Sequence, residues 1–193
     1  MPGRKNNTLC EPILKWCIGF VIASVVGAGS YMAFVGIAGA DEPMGSRLST
    51  GEMKTLLSLH NEARRDVGVA PLVWSKSLAV YAQLWADHLA STSCRMEHRP
   101  RSGRWKQVYG ENLLIGKTGY HGVEDAVRAW EGEKSGYHGA TLNPSNWYPS
   151  GHYTQMVWKN TSRVGCAKAE CRGNVIIVCN YDPPGNVLGQ KPY

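Results

Sequence analysis

The chain has 193 residues, enough for one domain and a tail, and is 43% hydrophobic and 19% charged. That composition excludes a disordered or collagen-like chain, and no short period repeats. The net charge of +6 comes without a dense Lys/Arg run, so there is no nucleic-acid footprint and no nucleic-acid partner is expected.

Arg4, Lys5 and Lys15 precede 25 uncharged residues, Trp16 to Ala40. Residues 1–40 read as a signal peptide or signal anchor, with Ala38-Gly39-Ala40 as a cleavage site. Basic residues stay on the cytoplasmic side, so the chain after Ala40 is expected outside the cell. It is read as secreted, with a single-pass membrane anchor as the alternative. Residues 41–50 read as a linker and 51–193 as one domain. Ser49-Thr50-Gly51-Glu52 has capping-box spacing. It opens a helix whose inner face holds Met53, Leu56, Leu57, His60, Ala63, Arg64 and Val67, ended by Gly68 and Pro71. A second helix is predicted from Ser75 to Ser91, with Leu78, Tyr81, Ala82, Trp85 and Leu89 inside. Residues 92–110 read as a loop. A third helix covers 122–134, with Val123, Ala126, Val127 and Trp130 inside, and 135–151 is turn-rich. Residues 152–159 alternate two faces and read as a strand. Two further strands, 163–170 and 174–181, flank an Arg172-Gly173 turn. Residues 182–193, with three Pro and two Gly, read as extended. Helices first and antiparallel strands last point to an α+β fold or a layered α/β sandwich, not a doubly wound parallel sheet.

Cys10 and Cys17 belong to the leader. Cys94, Cys166, Cys171 and Cys179 remain, and in an oxidising compartment they suggest two disulfides with three possible pairings. A two-residue turn at Arg172-Gly173 sets Cys166 opposite Cys179, which leaves Cys94 for Cys171. Zinc ligation is the alternative, but the spacing holds no C-x-x-C pair.

There is no Gly-rich phosphate loop, no G-x-S-x-G and no H-E-x-x-H. Four polar residues stand out: His98 in a loop, Glu111 before an apolar run, Glu133 one turn after Trp130, and His152. Two imidazoles and two carboxylates would suit a divalent metal, zinc first, or proton transfer. The plainer reading of each is a hydrogen-bonded helix or strand end. His60 and Arg64, one turn apart with Asn61 beside them, read as polar partners bracing the core. His88, His121 and His138 suggest no partner. Asn160-Thr161-Ser162 is a glycosylation sequon.

The segment Gly151-His152-Tyr153-Thr154-Gln155-Met156-Val157-Trp158-Lys159-Asn160-Thr161 resembles the first signature of the CAP superfamily, or SCP domain. That family takes in cysteine-rich secretory proteins, antigen-five allergens and pathogenesis-related proteins. Residues 176–187, Ile176-Ile177-Val178-Cys179-Asn180-Tyr181 onward, resemble its second signature. His60-Asn61-Glu62-Ala63-Arg64 and Gly110-Glu111-Asn112-Leu113 are similar to two shorter motifs. The end, Gly185 to Tyr193, resembles secreted plant and fungal pathogenesis-related proteins. Two departures stand out. Residues 143–150 lack the extra cysteine pair of the plant proteins, and Arg99 follows His98 where the family has serine.

The resemblance implies an α/β fold: a three-layer α-β-α sandwich with a central antiparallel sheet. It also implies a cleft tetrad of His98, Glu111, Glu133 and His152, with a weakly bound divalent metal, zinc, on His98 and His152. Tyr153 and Thr154 would shape that cleft. The expected function is a secreted module binding sterol or fatty acid, or acting in defence or virulence at a membrane surface, with no catalytic residues assigned. The alternatives are a metal-assisted, peptidase-like hydrolase with Glu111 or Glu133 as base, and a precursor whose segment after Asp182 is released as a signalling peptide.

Overall fold

The computed structural model describes residues 45–193. The expected leader and cleavage site, Cys10, Cys17 and the start of the expected linker lie outside the described residues.

Helix α1 spans Thr50–Asp66 and begins at the expected capping box, with Ser49 and Glu52 satisfying each other's backbone N–H. A two-residue strand β1, Val73–Trp74, leads into α2, Lys76–Ser91. Strand β2 is Gly110–Lys117, α3 is Val123–Gly132 and α4 is Gly151–Met156. Strands β3, Arg163–Cys171, and β4, Asn174–Asp182, form the expected hairpin. Arg172 and Gly173 both have positive φ, as a tight primed turn requires.

The sheet order is β1-β3-β4-β2, antiparallel except for the β1–β3 edge pair. Strand alternation sorts side chains to two cores. Val164, Cys166, Val175, Ile177, Cys179 and Tyr181 meet α1, α3 and α4 through Leu56, Leu59, Val127, Trp130 and Met156. Ala167, Ala169, Ile176, Val178 and Leu113 meet α2 through Ala82, Trp85, Ala86 and Leu89. The result is an α-β-α sandwich. At Gly165 a Cβ would lie 2.2 Å from the Ala79 backbone nitrogen, so only glycine lets α2 settle this close to β3.

Cys94–Cys171 and Cys166–Cys179 are bonded. Cys166 and Cys179 are direct cross-strand partners, and Cys94–Cys171 ties the loop after α2 to the end of β3. Two bridges suit an oxidising, extracytoplasmic compartment. Among the described residues no helix is long and apolar enough to cross a membrane.

Three expectations are corrected. Residues 151–156 are a helix, not the strand expected over 152–159. Residues 153–158 are all buried, so their apolar–polar alternation does not mark an inside and an outside face. The Thr154 hydroxyl donates its one proton to Asn186 Oδ1 at 2.7 Å, with Ser150 O also within reach at 3.0 Å, and the Gln155 side-chain oxygen accepts from Gly185 N–H. These partners satisfy the polar side chains and override β propensity. The third helix ends at Gly132, and Glu133 opens a 3-10 turn, Glu133–Gly136. On α1 the structure buries Leu59, which the periodicity left out, and only half-buries Met53, Leu57 and Val67.

Candidate functional site

Glu111 and Asn112 are consecutive residues at the start of edge strand β2, so their side chains leave on opposite faces. Each anchors one half of the candidate site.

On the α2 face, Glu111 is fully enclosed, its side chain 0% exposed. Its Oε1 accepts from His98 Nδ1 at 2.9 Å and from the Arg99 backbone N–H at 3.0 Å. Its Oε2 accepts from Asn180 Nδ2 at 3.3 Å and lies 3.7 Å from Arg99 Nε. Arg99 is buried, its guanidinium 3.8 Å from the Tyr81 ring centre and donating to Tyr81 O at 2.6 Å. Burial lowers the Arg99 pKa, against the opposing pull of Tyr81 and Glu111. The His98 side chain itself is 54% exposed. Asn180 Oδ1, beside Glu111, is buried with no hydrogen-bond partner.

On the other face, Glu133 uses both oxygens on one residue. Oε1 accepts from His152 Nδ1 at 2.7 Å and Oε2 from the His152 backbone N–H at 2.8 Å. His152 stands in the first turn of α4, and Trp130 stacks on its ring at 6.1 Å. Gly110 leaves room here: a Cβ would come within 2.2 Å of Gln155 Oε1.

Below His152 runs a directed hydrogen-bond chain. Asn112 Nδ2 donates to His152 O at 3.0 Å and to the Tyr181 hydroxyl at 3.1 Å. Tyr181 OH lies 2.8 Å from His60 Nε2, and His60 Nδ1 lies 2.7 Å from Leu56 O. A carbonyl only accepts, so His60 Nδ1 carries the proton, Nε2 accepts and Tyr181 donates. Burial pushes the His60 pKa down to about 4 and the Tyr181 pKa well up, so both stay neutral at pH 7. Arg64 donates to the carbonyls of Ala70, Met156, Trp158 and Thr161. Asn61 exchanges two hydrogen bonds with the Leu72 backbone. His60, Asn61 and Arg64 thus brace the helical layer under His152.

The four expected residues form two pairs, His98 with Glu111 and His152 with Glu133. Among the described residues no group of three His, Cys, Asp or Glu stands ready to hold one ion. Thr154 is tied to Asn186, and Tyr153 is 1% exposed within the helical core. His88 stacks between Trp85 and Trp105, and His121 accepts from Lys117 N–H. Sequence reasoning passed over Asn112 and Tyr181 as supports. Their signal was their place in two of the segments that resemble family motifs, Gly110 to Leu113 and 176–187.

In both pairs the carboxylate takes Nδ1, which leaves Nε2 as the free lone pair. This is the orientation carboxylate–histidine pairs adopt behind a metal.

Residues 57–181 match the CAP, Cysteine-rich secretory protein family. The chain belongs to that family. It is 44% identical over 138 residues to Pathogenesis-related protein 1B of Nicotiana tabacum, covering 71% of this chain and 78% of that one. It is 45% identical over 138 residues to Pathogenesis-related protein 1 of Arabidopsis thaliana, covering 71% and 80%. Among solved structures it resembles NaASP2, crystallised with Zn2+, at 23% identity and TM-score 0.66, over 76% of this CAP chain and 86% of that one. It also resembles Hookworm Platelet Inhibitor at 20% identity and TM-score 0.63, over 77% and 78%. These two likenesses concern the fold.

Proposed function

We propose that this CAP protein is an exported, non-enzymatic defence or virulence module of the pathogenesis-related type. Its His/Glu pairs form a ligand site that takes a divalent cation, and a sterol or fatty acid is its lipid ligand. The observation that carries this reading is that both carboxylates are committed to holding imidazoles.

Glu111 is enclosed and accepts from three partners, and Glu133 spends both oxygens on His152. Glu111 is closed off from a substrate or a water, and Glu133 is engaged in holding His152, which disfavours either as a hydrolase base. The donor chemistry does suit a labile ion. His98 Nε2 and His152 Nε2 would ligate it, and water would complete the shell, unlike a four-ligand structural zinc site. When bound, such an ion supplies a Lewis-acidic centre.

The segment after Asp182 acts in this reading as part of the domain, not as a peptide to be released. Leu142 N–H donates to Gln190 O, Gly189 N–H to Leu142 O and Lys159 N–H to Pro192 O. Asn186 also bonds Gly151 O and Thr154. These ties run along most of the segment.

The test is binding of radiolabelled sterol and of fatty acid by the purified exported protein, beside esterase and peptidase assays. Saturable uptake of one lipid class without turnover is expected. Turnover that disappears with chelator and in His152→Ala would replace this reading with a hydrolase.

A further inference from the structure

Positive charge is concentrated in one loop. The described residues carry eighteen basic and twelve acidic side chains, and residues 92–109 alone hold five basic and one acidic. Of the five, Arg99 is buried against Glu111. Arg95, Arg101, Arg104 and Lys106 are exposed, and none has an ion pair among the described residues. By contrast, Arg47, Arg128 and Lys168 each meet a carboxylate.

The loop that carries them is fixed. Gln107 N–H donates to Pro100 O at 2.8 Å, and Lys106 N–H to Gly103 O at 3.1 Å. Arg101, Arg104 and Lys106 therefore sit inside one closed turn of chain. Tyr81 OH donates to Lys106 O, Trp85 Nε1 to Glu97 O and Arg99 Nη2 to Tyr81 O, while Cys94 bonds Cys171. A pinned loop presents its charges without a large ordering cost on binding.

Apolar groups stand among the charges. Met96 is 54% and Val108 60% exposed. Trp105 is half-buried, stacked on His88 at 4.6 Å with the Arg104 guanidinium 5.4 Å from its ring. Cations interleaved with exposed apolar side chains and an amphipathic indole suit anionic headgroups lying over acyl chains. A soluble polyanion would give Met96 and Val108 nothing to contact.

We propose that the 92–109 loop is a docking surface for an anionic phospholipid bilayer. Arg95, Arg101, Arg104 and Lys106 meet headgroup phosphates, and Met96 and Val108 enter the headgroup boundary. This deepens the lipid reading and rests on it for its purpose, because His98 lies in the same loop. The two fail separately: sterol or fatty-acid uptake is measured without vesicles, and docking without added ligand.

The experiment is co-sedimentation of the exported protein with phosphatidylcholine vesicles with and without phosphatidylserine. Binding is expected only with phosphatidylserine and falls as salt rises. Each removed cation weakens partitioning roughly fivefold, so Arg95→Gln/Arg101→Gln/Arg104→Gln/Lys106→Gln loses it by at least about a hundredfold. Met96→Ser/Val108→Ser weakens binding but keeps its salt dependence. Lys54→Gln/Arg65→Gln/Lys117→Gln/Lys159→Gln, with the same change in net charge, retains most of it. Equal loss in the two quadruple variants, no preference for phosphatidylserine, or binding to polygalacturonate or RNA but not to vesicles would each overturn the proposal.

Discussion

His60 is sealed inside the helical layer with a fixed proton. Its folded pKa of about 4 lies below the ordinary 6.5, because the charged ring would lose its water and face Arg64. The unfolded chain therefore binds a proton that the native form refuses. This contribution is complete above about pH 6.5 and drains away as pH falls toward 4, to a total of about 3 kcal/mol. Denaturant titrations at pH 7, 5.5 and 4 should show that loss, and His60→Gln, less stable at pH 7, should lack this component. Glu133 poses a different question, that of orientation. Glu133→Gln keeps the size of the group but no longer offers two acceptor oxygens to His152. Zinc affinity measured by calorimetry should drop about 10- to 100-fold, as when a supporting carboxylate is lost. Unchanged affinity would show that Glu133 does not orient a ligand.

Between elements, Arg64 is the tie that links α1 to the end of α4. It feeds four carbonyls from one guanidinium, and burial lowers its pKa only to about 10, so it stays charged at pH 7. Arg64→Met removes the donor from carbonyls held inside the fold, at roughly 3 kcal/mol or more. A thermal melt should show a large fall, and Arg64→Lys should not restore it, because an ammonium lacks the planar fork. The elements differ in how legible they were. The hairpin and its Cys166–Cys179 pair could be read because a two-residue turn fixes register. Helices α1 and α2 could be read from caps and periodicity. Helix α4 could not, because what makes Gly151–Met156 helical is remote: Asn186 and Gly185 satisfy Thr154 and Gln155 from the far end of the chain. Strand β2 went unassigned because Gly110-Glu111-Asn112 looks like loop until its partners on β4 are known. The candidate site was legible as four residue types through family resemblance. Its pairing was not, since His98 and Glu111 meet only once the loop after α2 folds back over Tyr81. The cations of that loop lie within twelve residues of sequence, and what the fold adds is that four of them are exposed while Arg99 is buried.

For the whole molecule, the sandwich carries the two imidazoles on different layers and turns both Nδ1 atoms inward to carboxylates. The sheet supplies rigidity: Glu111 and Asn112, one residue apart on β2, hold the loop half and the helical half of the site. The proposed function has His98 and His152 serve one ligand together. The decisive measurement is zinc titration of the purified protein, followed by calorimetry for wild type, His98→Ala and His152→Ala. One ion per chain is expected, lost with either substitution. Two independent ions, or one that survives His98→Ala unchanged, would contradict it.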